Sequence, residues 1–229
     1  MPFVKPASPW KILVVLVILF VPAISYYLIS TGKNNFRKLA IYGPREPMPV
    51  QVVGGKDVAD TIYHTVPAFS FTDHHGKVFD SSMLDTSIYI AEFFFTSCKT
   101  ICPDMNRNLQ SVQNKYKNDP DVKILSFTVD PETDSVPVLA SYAKQHHAID
   151  GKWFFLTGDQ AKIFELARSG YFLAAVQNAS GPEEFSHSEQ LVLVDRDKRI
   201  RGYYDGTDDL DVSRLMDEIK VLQWEYKNL

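Results

Sequence analysis

The stretch Ser87–Pro103, SIYIAEFFFTSCKTICP, decides how this chain is to be read. Its first nine residues form a nearly continuous apolar, β-prone run, the pattern of a strand buried on both faces. The run passes directly into Thr96-Ser97-Cys98 and a stretch of helical character reaching about Lys117. Cys98 and Cys102 are the only cysteines in 229 residues. Two are too few for a disulfide scaffold or a zinc ribbon. Scattered at random they would fall within four positions of each other roughly 3–4% of the time, so their spacing carries chemical meaning.

Working outward, Ala68–Thr72 and Lys77–Asp80 flank the turn Asp73-His74-His75-Gly76 and predict a β-hairpin. Val122–Val129 is a second buried strand, closed by Asp130-Pro131, and a helix follows from about Val136 to His147. Trp153–Leu156 reads as a short strand and Gln160–Ser169 as a helix. Gln190–Asp195 and Ile200–Tyr204 pair around Arg196-Asp197-Lys198, and a last helix runs from Asp211 to about Tyr226 with Val212, Leu215, Met216, Ile219 and Leu222 on one stripe. Strands alternating with helices imply βαβ units, and the two hairpins make the sheet mixed. The prediction is an α/β fold with a thioredoxin-like mixed sheet flanked by helices, the cysteines sitting where the first buried strand hands over to its helix.

Ahead of this domain, Ile12–Gly32 carries no charge for 21 residues. A helix of that length spans roughly 30 Å, the thickness of a bilayer core. Trp10, Tyr26 and Tyr27 suit the two interfaces. The competing reading is a cleaved signal peptide, but the apolar run is long and Ala23-Ile24-Ser25 is a poor cleavage site. An uncleaved membrane helix over residues 12–32 is therefore expected. Lysines and arginines flank it on both sides and give no orientation. Residues 33–62, with Pro44, Pro47, Pro49, Gly43, Gly54 and Gly55, read as a tether holding a short strand around Val50–Val53. The domain proper is expected over residues 63–229. A composition of 45% hydrophobic and 23% charged residues excludes disorder, and a net charge of -4 argues against a nucleic-acid partner.

A thiol at a helix N-terminus is biased toward thiolate, with Lys99 adding positive charge nearby. Residues i and i+4 share a helix face, so the two sulfurs can converge on one ion or close a disulfide. Soft sulfur selects Cu(I), and an imidazole third ligand also suits Cu(II). A dithiolate holding Cu(I) carries net charge -1 and with Cu(II) is neutral, so a cation such as Lys99 would favour the reduced ion. A structural disulfide or two inert thiols is the bland alternative. Among six histidines, His74 and His75 are expected exposed in a turn. His146 and His147 end a helix, where a cation complements the dipole, and His64 lies in the tether. His187 is different, standing in Glu184–Glu189 immediately before a buried strand, where a thioredoxin-like sheet would turn it toward the cysteines. Asp130 and Asp134 serve turn and helix-cap chemistry or a role around the metal.

The chain resembles the Sco/SenC family of membrane-anchored copper chaperones. The resemblance rests on the anchor, on TSCKTICP after a β-run, on VDPETD at Val129–Asp134, and on FSHSEQLVLVDRDKRIRGYYD at Phe185–Asp205. It implies one copper bound by Cys98, Cys102 and His187, with Asp130, Asp134 and Lys99 around them. It also implies delivery to the dinuclear copper centre of cytochrome c oxidase subunit II. By the same analogy the protein sits in the cell inner membrane, with residues 1–11 cytoplasmic and the domain periplasmic. The chain departs from the family's frequent Cys-Pro-Asp-Ile-Cys by having Lys99 and Thr100 between its cysteines. The alternative function is enzymatic, reduction of the target's cysteines by Cys98 and Cys102 with His187 dispensable. A peroxidase using Arg107 is disfavoured by the paired cysteines, and a plain tethered interaction module leaves their spacing unexplained.

Overall fold

The computed structural model describes residues 9–31, 38–47, 51–53, 56–58, 61–173 and 189–228. The chain divides into two units, Met1–Arg37 and Lys38–Leu229. In the first, helix α1 (Pro9–Thr31) carries a single charge, Lys11 near its start, and has Pro22 inside it, and Pro9–Tyr27 is long and apolar enough to cross a membrane.

In the second unit, β1 (Arg45–Pro47) pairs antiparallel with β4 (Thr61–Tyr63), and β2 (Gln51–Val53) with β3 (Lys56–Val58). The body is a seven-stranded sheet formed by β5 (Ser70–Asp73), β6 (Val78–Asp80), β7 (Ile88–Phe94), β8 (Val122–Thr128), β9 (Trp153–Thr157), β10 (Gln190–Val194) and β11 (Ile200–Asp205). Its order is β11-β10-β7-β8-β9-β5-β6. The central β7, β8 and β9 are parallel, and both flanks are antiparallel. Helices α2 (Cys102–Lys115) and α3 (Val136–Gln145) lie between the parallel strands in sequence, α4 (Gln160–Glu165) runs into one π-turn at Leu166–Gly170, and α5 (Asp209–Lys227) closes the chain. The mixed sheet flanked by helices is the architecture expected from the sequence.

Strand β7 explains why the apolar run is continuous. Every one of its residues is buried. Tyr89, Ala91 and Phe93 join a core with Phe71, Phe127, Ile163 and Tyr171. Ile88, Ile90 and Phe94 join the opposite core with Leu109 of α2, Leu139 of α3 and Ile219 of α5. Alternate side chains of a strand point to opposite faces, so a strand covered on both sides must be apolar at both parities. Glu92 is the exception, and its parity places it on the α2 face.

The compact unit begins at Lys38, so part of the expected tether belongs to the body. Arg201, almost fully buried, bonds Asp195, Glu225 and the carbonyl oxygens of Leu39 and Ala40. Leu39 N–H donates to Glu225 at 2.7 Å and Tyr42 N–H to Ile200 O at 2.9 Å. A guanidinium has five donors in a fixed fork, and here they knit a Pro-rich segment to residues 161 positions away. Local apolar periodicity carries no trace of such a tie.

Candidate metal centre

The helix expected to begin at Thr96–Cys98 begins at Cys102 instead. Pro103 gives the reason. In a helix continued upstream, its missing N–H and its ring would meet the carbonyl of Lys99, which disfavours a helix interior but suits a first turn. Cys98 therefore sits in a turn, its N–H donating to Phe95 O at 3.2 Å. It does not share a helix face with Cys102, and the two sulfurs meet across the turn-to-helix junction.

Both cysteines are free thiols, and their surroundings differ. Cys102 is 4% exposed and belongs to the α2-side core, while Cys98 is partly exposed. Burial tends to raise the Cys98 thiol, but hydrogen bonds from the Cys102 thiol, from the N–H groups of Cys102 and Thr100, and from the Thr100 hydroxyl bring it below its ordinary value. Thr100 Oγ1 lies 3.7 Å from the Cys98 sulfur. The Cys102 thiol is pushed far up by burial, by the hydrogen bond it gives Cys98, and by the charges of Cys98 and Glu92. One sulfur is thus an accessible incipient thiolate and the other a buried proton donor to it. Lys99 is exposed, and the thiolate bias of Cys98 is accounted for by hydrogen bonds.

Asp134 holds the entrance to this turn. It is fully buried, accepts the Thr96 N–H at 3.0 Å, and accepts the hydroxyls of both Thr96 and Thr128. Thr96 precedes Cys98 by two residues and Thr128 ends β8, so one carboxylate staples the cysteine turn to the neighbouring strand. The helix-cap reading of Asp134 is replaced by this role, since α3 is preceded by Ser135. Asp130 accepts the Thr133 N–H at 3.4 Å, an ordinary turn contact.

Beneath Cys102 lies a polar cluster that the sequence reading did not single out. Asn106 Nδ2 donates to Cys102 O and to the Tyr142 hydroxyl, both at 2.8 Å, while the buried Asn106 Oδ1 has no partner among the described residues. Glu92 is 1% exposed and held near pKa 7 by burial, opposed by a hydrogen bond from Ser126. A charge inside SIYIAEFFF was the available signal.

His187 lies outside the described residues. Glu189, two positions later, accepts the Gly206 N–H at 2.7 Å, and Gly206 O accepts Asn108 Nδ2 of α2 at 2.9 Å. The other histidines go elsewhere. His74, expected exposed, is 5% exposed, and its Nδ1 accepts the Phe155 N–H at 3.2 Å. The hairpin turn folds onto β9, and burial followed by the charge of His75 lowers the His74 pKa. His74, His75 and Asp150 are close enough to suggest a metal site. With Nδ1 accepting a backbone N–H, however, the neutral ring carries its proton on Nε2 and has no lone pair left for an ion. The His146 ring packs against Tyr142 at a tilt, with centroids 4.4 Å apart, and burial and then the charge of His147 lower its pKa. His64 Nε2 meets Gly170 O at 2.9 Å.

A family model described as SCO1/SenC matches residues 59–222. The chain belongs to the SCO1/SenC family. It is 32% identical over 169 residues to the SCO1 protein homolog of Bacillus subtilis, a match covering 73% of this chain and 87% of that one. The mitochondrial SCO2 homolog of Bos taurus is 30% identical over 141 residues, covering 59% and 52%. Among solved structures, BsSco, a member of the Sco family of cytochrome c oxidase assembly proteins in which a disulfide switch was identified, superimposes with TM-score 0.61 at 30% identity, covering 69% of this chain and 93% of its own. Arabidopsis thaliana ScoI with copper bound gives TM-score 0.57 at 28% identity, covering 71% and 99%. A pair of free thiols at the surface-to-core boundary is a donor set that soft Cu(I) fits.

Proposed function

We propose that this SCO1/SenC chain binds one copper ion through Cys98, Cys102 and His187 and delivers it to the dinuclear copper site of cytochrome c oxidase subunit II. The observation that carries the reading is the thiol pair itself: two free sulfurs four residues apart, one accessible and thiolate-prone, one buried beside it. Copper displaces the thiol protons on binding. Cys102 anchors the ion from the core and Cys98 holds it at the surface. Three ligands leave coordination room for an incoming donor, and Cys98, being accessible, is the ligand a partner's sulfur replaces first. Support for His187 as third ligand comes from the Glu189–Gly206–Asn108 chain of hydrogen bonds, which ties the backbone just past it to the cysteine helix. In the same reading α1 anchors the protein in the inner membrane, with the N-terminus cytoplasmic and the domain periplasmic. Asp134 acts around the site through the cysteine turn it braces, Asp130 through the neighbouring turn that leads to Asp134, and Lys99 offsets the net charge of the loaded thiolates.

The depressed Cys98 thiol against the buried Cys102 also favours a second reading, reduction of the target's disulfide. Cys98 thiolate would attack one target sulfur and release the other as thiolate. Cys102 thiolate would then resolve the mixed disulfide, leaving the target dithiol and a Cys98–Cys102 disulfide. Cysteine variants do not separate the readings, because both need both sulfurs. Anaerobic Cu(I) titration of the full chain in detergent does. The expected result is one equivalent bound, with His187→Ala binding at least about tenfold more weakly. A wild type that takes up no copper yet reduces a disulfide substrate, with His187→Ala indifferent, sinks the copper reading in favour of the reductase.

A further inference from the structure

The sheet has an interior gap beside β5. Phe69, Phe71 and Asp73 turn their backbone groups toward β6 and its turn. Ser81 N–H donates to Phe69 O at 2.9 Å, Phe71 lies opposite Phe79, and Asp73 N–H donates to Lys77 O at 2.8 Å. Backbone groups alternate sides along an antiparallel strand, so those of Ala68, Ser70 and Thr72 point the other way, toward β9. Thr157 of β9 meets Thr72 there. Among the described residues nothing meets Ser70. β9 ends at Thr157, and Asp159, which the register would set opposite Ser70, instead caps α4 by accepting the Lys162 N–H at 2.9 Å. Gly158 allows the chain to leave so close to β5, since a Cβ there would lie 2.7 Å from Phe71 Cδ1. A cavity of about 460 Å³ lies between residues 67–71 and α4 with its π-turn. That volume is in the range of ligand sites. Phe69, Phe71 and Leu166 give it an apolar floor, and Lys162, Glu165 and Ser169 stand exposed along the helix side. A second cavity of about 170 Å³ continues it past Lys162 toward Thr72. Neither Lys162 nor Glu165 is held in an ion pair among the described residues.

We propose that this gap binds an extended peptide segment of a partner protein, which joins the sheet as a strand beside β5. The segment carries an acidic residue for Lys162 and, two positions later, a basic residue for Glu165. The open N–H and C=O of Ser70 call for a chain whose own donors and acceptors recur at strand spacing, and strand addition supplies them. The segment takes the direction of β9, antiparallel to β5, because it continues the ladder that β9 leaves. Lys162 is shared with the cavity on the Thr72 side and Glu165 lies one helical turn further on, so the acid comes before the base. Spacing agrees. Alternate residues of a strand are on one face about 6.7 Å apart, and side chains three apart on a helix are neighbours at about 5–6 Å. The gap opens at the end of β9 where β7 hands over to the cysteine turn, three strand spacings or about 14 Å across the sheet. A partner held by this segment is thus docked at the thiol end of the domain, through contacts that need neither sulfur.

The test is calorimetric titration of the full chain in detergent with two acetylated, amidated peptides of the same composition, Thr-Glu-Thr-Lys-Thr and Thr-Lys-Thr-Glu-Thr. Wild type is expected to bind the first about fivefold more tightly than the second, and the double variant Lys162→Glu/Glu165→Lys to invert that preference. Ser70→Pro removes the N–H that faces the gap and leaves the β5–β6 ladder its own bonds, so it should weaken both peptides at least about tenfold. Thermal melts by circular dichroism accompany the variants. If Ser70→Pro fails to fold, the charge reversal at two exposed helix positions carries the test. No binding of either peptide up to roughly 1 mM overturns the proposal. So do equal affinities of the two peptides for wild type, a preference that charge reversal leaves unchanged, or a folded Ser70→Pro that binds as wild type does. A wild-type dimer that Ser70→Pro dissociates would give the gap to a second copy of the chain and also overturn it.

Discussion

Replacing Asp134 with alanine is expected to lower unfolding free energy by about 3–5 kcal/mol, among the largest effects a single side chain here can have. The carboxylate is fully buried and takes three hydrogen bonds, one from the Thr96 N–H and two from the Thr96 and Thr128 hydroxyls. Alanine leaves the part-buried Thr96 N–H and hydroxyl and the buried Thr128 hydroxyl without their acceptor, and an unmet buried donor costs about 1–3 kcal/mol. For a unit of this size the melting temperature should fall on the order of 10 °C. Asp134→Asn keeps one acceptor oxygen and should fall between wild type and alanine. A loss below about 1 kcal/mol for Asp134→Ala would mean that the staple is unimportant.

The same substitution has a readout at the site. Hydrogen bonds within the 98–102 turn hold the Cys98 thiol down, and that turn is tied to β8 through Thr96. Freeing Thr96 loosens the turn, so the pH profile of Cys98 alkylation by iodoacetamide should move to higher pH in Asp134→Ala. A profile unchanged at temperatures where the variant is folded would show that Asp134 supports the fold without tuning the sulfur.

What the sequence disclosed and what it hid divide along the range of the interactions involved. Ser87–Phe95 announced a strand covered on both faces because burial of a strand is written into consecutive residues, and β7 splits between two cores as that requires. The helix start was legible too, in Pro103, although the cysteines drew the boundary four residues too early. The role of Asp134 was not legible as a staple, because its partner Thr96 is 38 residues away and a local reading sees only an acid before a helix. Burial of His74 depends on Phe155, 81 residues on, and attachment of Leu39 and Ala40 depends on Arg201. Turn composition and proline content describe the local backbone and say nothing about what folds back onto it. Cys98 and Cys102 stood out by spacing alone, whereas their unequal exposure came only from the packing of α2 against the sheet.

Glu92→Gln should stabilise the protein at pH 8 by roughly 2–3 kcal/mol. Glu92 occupies the middle of the central strand, with its carboxyl accepting from Ser126, whose own oxygen accepts the Trp153 Nε1–H at 2.7 Å. Burial raises its pKa from the ordinary 4.5 to about 7. Below about pH 4.5 folded and unfolded chains both hold the proton and the group contributes nothing to the difference. Between about 4.5 and 7 the unfolded chain releases it while the folded chain retains it, so stability falls as pH rises. Above about 7 the penalty is constant at roughly 3 kcal/mol, from 1.36 kcal/mol per pH unit. Glutamine keeps an oxygen for Ser126 and never ionises. The difference in unfolding free energy between Glu92→Gln and wild type, measured by urea denaturation from pH 4 to 8, isolates this carboxyl because the Cys102 thiol it influences stays protonated throughout that range. It should be near zero at pH 4, open between about 4.5 and 7, and then level off. A variant less stable than wild type at pH 8 would show that the Ser126–Trp153 chain outweighs the cost of burial. Glu92 also pushes the Cys102 thiol upward, so in Glu92→Gln the buried sulfur should give up its proton at lower pH, readable as thiolate absorbance near 240 nm in a Cys98→Ser background.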